Sequence, residues 1–143
     1  MAEYSYAPKL PSPQAFKRLR DSAGWGQITL DQAKTALSES LGGACLFHQG
    51  NVIGMARYIG DSVLNIYIQD VVISKAHRGR GLGKHLLDFL FTQLQSQYAA
   101  DCTIGLMAAK GQDSFYAQFG FTARPSNVYG AGMIAPLGNI RLK

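Results

Sequence analysis

Cysteine is scarce: Cys45 and Cys102 are the only two in 143 residues. Each lies inside an apolar, strand-like run, where a small thiol packs as a hydrophobe, so a secreted disulfide framework is excluded. Both are expected to be reduced and structural, and neither is a nucleophile candidate. Long hydrophobic runs are also missing. No stretch approaches the ~20 apolar residues of a membrane span, and the opening MAEYSYAPKLPSP has no basic region leading into an apolar one. The expectation is a soluble, cytoplasmic protein with no membrane partner. No internal repeat or low-complexity run is present. The net charge of +5 raises nucleic acid as a partner, but Lys9, Lys17, Arg18, Arg20 and Lys34 are scattered and no basic patch is interleaved with aromatics. A nucleic-acid ligand is therefore not expected.

What is present is enough for one domain spanning residues 1–143, with 47% hydrophobic residues to build its core. The basic residues that do cluster are Lys75, His77, Arg78, Arg80 and Lys84, and they fall in the stretch from Val71 to Leu94, VVISKAHRGRGLGKHLLDFLFTQL. It reads as a β-branched strand, a glycine-rich turn and an amphipathic helix from Lys84 to Leu94. That layout aims backbone N–H groups and a helix N-terminus at an anion. A Walker loop is excluded, because Arg78 stands where its first glycine belongs and His85 where Ser or Thr belongs. The dinucleotide fingerprint fails as well, since Lys84 or Leu86 occupies the place of its third glycine.

The rest of the chain supplies a layered α/β pattern. A short strand over residues 3–9 precedes a helix at about 13–22, and Gly24, Trp25 and Gly26 interrupt before a second helix at about 30–40, capped by Thr29 or Asp31. Trp25 either lines a substrate entrance or covers the core. Gly42 and Gly43 end the helical region, and a hairpin turns at Gln49, Gly50 and Asn51. His48 borders that turn, as a solvated residue or as a catalytic base. The strand Val63 to Ile73 places Asp70 in an apolar row with Leu64, Ile66, Ile68 and Val72. A buried carboxylate must be paired or take up a proton, so Asp70 is either a general base or a structural partner of N–H groups or an arginine. A fifth strand follows Asp101, then a short helix near Asp113 ending at Gly120, and β-runs are expected at 131–134 and 139–142.

Arg78, Gly81 and Gly83 form RxxGxG after a strand, which resembles the coenzyme A pyrophosphate loop of the GCN5-related N-acetyltransferases. Some thirty residues on, Phe115, Tyr116, Gly120 and Phe121 resemble that family's FYxxxGF signature. The resemblance covers roughly residues 65–124. It implies a mixed, mostly antiparallel central sheet flanked by helices, and acetyl transfer from acetyl-CoA to a primary amine in a ternary complex, with no metal. It also implies residue roles. Main-chain groups of Val71, Val72 and Ile73 pair with the pantetheine arm, and the Val72 N–H meets the oxyanion. Arg78, Gly79, Arg80, Gly81, Leu82, Gly83 and Lys84 hold the pyrophosphate, and Tyr116 protonates the departing thiolate. Asp70 is the candidate base. Trp25, Asn127, Tyr129 and Met133 are the candidate acceptor contacts. Aromatics at Tyr4, Trp25, Tyr58, Tyr67 and Tyr129 either favour a small acceptor, an arylalkylamine or polyamine, over a protein lysine, or belong to the core. A noncatalytic acyl-CoA-binding module is the alternative, and homodimer formation stays open.

Overall fold

The computed structural model describes residues 3–142. Up to Leu106 the chain forms one compact unit, and from Met107 it forms a second. The first unit holds a five-stranded sheet in the order β1-β2-β3-β4-β5. Its strands are β1 (Tyr4–Ala7), β2 (Gly42–His48), β3 (Asn51–Gly60), β4 (Asn65–Ile73) and β5 (Thr103–Leu106). The first four pair antiparallel, and β5 joins β4 in parallel.

Helices α1 (Pro13–Ser22) and α2 (Leu30–Ser38) lie between β1 and β2, and α3 (Leu82–Gln97) lies between β4 and β5. Each of the first two starts at a side-chain cap. Ser12 accepts from the Ala15 N–H, and Thr29 forms a reciprocal box with Gln32. Phe16, Leu19, Ala33 and Leu37 bury their apolar faces together with Met55 and Val72. Helix α3 buries Leu82, Leu86, Leu87, Leu90 and Leu94. Each such leucine contributes about 1.5–3 kcal/mol, which outweighs the weak intrinsic stability of an isolated helix of this length. Four consecutive residues of β3, Ile53 to Ala56, are buried, so both faces of the sheet are covered there.

Three sequence expectations change. Gly42 and Gly43 are the first residues of β2 and do not simply end the helical region. A Cβ on Gly43 would fall 2.5 Å from the Ala56 carbonyl oxygen of β3, so glycine there is what lets the two strands close. Helix α3 starts at Leu82, two residues before Lys84, because Gly81 supplies a left-handed N-cap at φ +74°. No strand forms at 131–134 or 139–142 among the described residues. Gly130, Gly132, Pro136 and Gly138 punctuate that segment, and its only regular turn is a 3-10 turn at Leu137–Asn139. The second unit contains α4 (Asp113–Ala117). Among the described residues no helix is long and apolar enough to cross a membrane.

Candidate active site

The site grows from strand β4. Its parallel register with β5 ends at Ile68↔Leu106, so Gln69 through Ile73 continue without a β5 partner. On the other edge the register with β3 slips by one residue, because Met55 pairs with Val72 while Arg57 pairs with Gln69. Asp70 and Val71 together therefore stand opposite Ala56. This is a β-bulge, and Asp70 carries its strain at φ +60°.

Asp70 is almost wholly buried, the one buried charged residue among those described. Arg20 Nη1 donates to its Oδ1, and Arg57 Nε donates to its Oδ2 at 2.7 Å. Arg57 Nη1 also donates to the Ser40 hydroxyl at 3.0 Å. Aromatic faces complete the network: the Arg20 guanidinium lies 5.7 Å from the Phe16 ring centre and 5.6 Å from that of Trp25, and Arg57 lies 5.4 Å from Phe16. Of the two sequence readings of Asp70, this geometry favours the structural one, since both carboxylate oxygens are committed to cations. Arg20 and Arg57 were not singled out from sequence. The signal was available, because a carboxylate in an apolar row demands cationic partners and Arg57 lies on the neighbouring strand.

Beyond Ile73 the chain makes a 3-10 turn, Lys75–His77, and enters the glycine loop. Gly79 and Gly81 adopt φ +79° and +74°, in the left-handed region that disfavours side chains with a Cβ. Arg78 Nε donates to the Ile73 carbonyl at 2.9 Å, tying the loop to the strand end. No side chain caps α3, and its first turn holds no acidic residue. The helix dipole and the first-turn N–H groups, those of Leu82 and Gly83 among them, therefore face outward. Lys84 pairs with Asp88 at 2.8 Å on the exposed helix surface. The end of β4, the loop and the start of α3 follow one another, so Val71, Val72, Ile73 and Arg78 through Lys84 lie on consecutive elements. Together they present a basic, acid-free turn, a helix start and a strand end that pairs with β3 but has no partner on its β5 side.

The remaining candidates divide between the units. Trp25 follows α1 and stays substantially exposed while it stacks on Arg20. Tyr58 is a core residue, so it is not an acceptor contact; burial, and next a hydrogen bond with Tyr98, push its phenol up to about 12. His48 belongs to a ring cluster with Tyr4 and His77. In the second unit Tyr116 is half-buried on α4, edge-on to Phe115 at 5.1 Å and to Phe121 at 6.2 Å, while Phe115 meets Phe119 at 5.8 Å. The Tyr116 ring thus packs beside the Phe115–Phe119 pair. Burial raises its phenol pKa, which keeps the hydroxyl protonated and able to donate over a wider pH range. Tyr129 is exposed, with Arg124 5.1 Å over its ring, and Ser126 Oγ accepts from its N–H. Asn127 and Met133 are exposed.

Three comparisons bear on this site. Residues 15–135 match the acetyltransferase (GNAT) domain family. Over 119 residues the chain is 37% identical to the uncharacterized N-acetyltransferase ycf52 of Gracilaria tenuistipitata var. liui, covering 80% of this chain and 64% of that protein. It is 32% identical over 126 residues to the histone acetyltransferase TAP1 of Glycine max, covering 80% of this chain and 54% of that protein. This chain therefore spans less than two thirds of the length of either relative. The crystal structure of a Staphylococcus aureus protein of unknown function, a probable acetyltransferase, superposes with a TM-score of 0.82 at 24% identity, covering 94% of this chain and 99% of that one. At that identity the likeness establishes the fold.

Proposed function

Because this chain belongs to the GNAT family of acetyltransferases, we propose that it transfers an acetyl group from acetyl-CoA to a primary amine by direct attack in a ternary complex. The observation that carries this reading is the run from the bulged end of β4, free of a partner on its β5 side, into the acid-free N-terminus of α3. Val71, Val72 and Ile73 would take the pantetheine arm as an added strand, and Arg78 through Lys84 the diphosphate. When bound, acetyl-CoA supplies an acetyl thioester. A main-chain N–H at the bulge, with Val72 as our assignment, would donate to the oxyanion formed on amine attack.

Tyr116 would donate its proton to the departing thiolate, a role supported by the half-buried phenol, whose raised pKa keeps it protonated. Asp70 we reassign from base to anchor of the bulge, since its oxygens already accept from Arg20 and Arg57. The amine proton then leaves to water or to a group other than Asp70. Trp25, Asn127, Tyr129 and Met133 remain the proposed acceptor contacts, and a small arylalkylamine or polyamine the favoured acceptor. A protein lysine is the second reading, supported by the relative named a histone acetyltransferase.

The test is an acetyl-CoA turnover screen, read as thiol release, across arylalkylamines, polyamines and lysine-containing peptides. Transfer to any amine supports the enzyme, and the best kcat/KM selects the acceptor class. CoA binding without transfer to any member would replace the enzyme with a noncatalytic acyl-CoA-binding module.

A further inference from the structure

Beside the glycine loop, and joined to it by Arg80, lies a cluster of polar rings that the mechanism does not use. Tyr4 begins β1, His48 ends β2, and β1 pairs with β2 so that these two residues stand opposite each other. Their rings lie 5.0 Å apart, and the His48 ring lies 4.9 Å from that of His77, in the turn leading into the loop. Arg80, inside the loop, donates through Nη1 to the Tyr4 hydroxyl at 3.2 Å, and that oxygen is 3.1 Å from His77 Nδ1. With the hydroxyl hydrogen directed at Nδ1, the neutral ring carries its own hydrogen on Nε2, and the imidazolium carries one there too. In that arrangement His77 donates through Nε2–H.

The electrostatics of the group run one way. Residues 42–60 and 71–87 contain no Asp or Glu, and the nearest acid in sequence is the exposed Glu3. Tyr4, His48 and His77 are partly exposed and Arg80 is exposed. Two imidazoles in ring contact, an arginine and a hydroxyl, with no carboxylate among them, match a compact dianion.

We propose that Tyr4, His48, His77 and Arg80 form a subsite for a phosphate monoester, the 3′-phosphate on the ribose of coenzyme A. This rests on the reading that the loop holds the CoA diphosphate. Arg80 belongs to both groups of residues, and the ligand carries its diphosphate and its phosphate monoester on one ribose. The monoester therefore falls within reach of the cluster that Arg80 links to the loop.

The experiment compares calorimetric binding of CoA, 3′-dephospho-CoA and inorganic phosphate to the full chain and to a His48→Gln/His77→Gln variant. The intact chain should bind CoA about tenfold or more tightly than 3′-dephospho-CoA, the effect of losing charge-assisted hydrogen bonds. The variant should bind the dephospho form as before and lose the preference. Equal affinity of the intact chain for both nucleotides would overturn the subsite while leaving the loop assignment standing. A preference that survives in the variant would overturn these residues as its source. Binding of neither nucleotide would overturn the loop reading and the subsite with it. His48 and His77 ring proton resonances should shift with CoA and stay in place with 3′-dephospho-CoA plus inorganic phosphate at equal concentration. The same shift with inorganic phosphate would make this a free-phosphate site and overturn the ribose-phosphate assignment.

Discussion

Up to Leu106 the chain buries Phe16, Leu19, Met55, Leu86, Leu90 and their neighbours, whereas from Met107 no described residue is buried. The two regions also carry different parts of the proposed chemistry. The first holds the bulged strand, the glycine loop, the Asp70 network and one proposed acceptor contact, Trp25; the second holds Tyr116 and the other three, Asn127, Tyr129 and Met133. Recognition of a fixed donor suits rigid elements supported by a core, since backbone donors must keep their directions without a ligand. Acceptor contacts suit a segment whose side chains change at little cost to folding. The contrast teaches that substitutions in the first region should be read in stability and donor binding, and those in the second in turnover.

The largest effect expected is that of Asp70→Asn. Asparagine tolerates φ +60° but removes the charge between two guanidinium groups, so unfolding free energy should drop by about 3–5 kcal/mol in denaturant titration. Where folded protein remains, its rate relative to the unmodified chain should be flat with pH. Near-normal stability with rescue of turnover at high pH would restore a base role and blur the contrast. Tyr116→Phe should do the reverse, lowering kcat by about 10²-fold with stability and donor affinity nearly unchanged. The basic limb of the kcat profile, set in the intact enzyme by a phenol above its ordinary pKa, should vanish. An unchanged kcat and limb would remove Tyr116 from the chemistry.

Gly81→Val places a β-branched side chain at φ +74° in the loop proposed to hold the diphosphate. It should abolish the stabilisation by acetyl-CoA, about 2.7 kcal/mol at 100 times Kd, read as the ligand-induced rise in Tm. A retained rise would detach the loop from donor binding. A smaller effect concerns the core alone. Burial pushes the Tyr58 phenol up to about 12 and the Cys45 thiol up to about 11. Both are raised, so their neutral forms favour the folded state, and the stability they contribute is complete below their unfolded values and lost as pH rises through 9 to 12. Tyr58→Phe should flatten part of that decline in denaturant midpoints measured at pH 8, 10 and 11. Smallest is Thr29→Ala, which removes one hydrogen bond of the α2 capping box and should cost about 1 kcal/mol with no change in CoA binding. A matching loss of CoA affinity would show that capped and uncapped helix ends are not independent.

Much of this molecule was legible in the sequence. Helical spacing and turn residues located α1 at 13–22 and α2 from Thr29, and period-two alternation located β4 with Asp70 on its apolar face. The acid-free glycine loop after a strand raised the expectation of an anion site because the features behind it are local: φ above zero, N–H donors and a helix start lie within a dozen residues. Tertiary structure decided what distant residues do to each other. It brought Arg20 of α1 and Arg57 of β3 to Asp70, and Tyr4, His48 and Arg80 to His77, partners 73 residues apart in the case of Tyr4 and His77. It also slipped the β3–β4 register by one residue, which no alternation of apolar residues records. The physical reason is range. Backbone preference and burial periodicity act between residues a few positions apart, whereas ion pairing and ring contact depend on which strands and helices the core brings together.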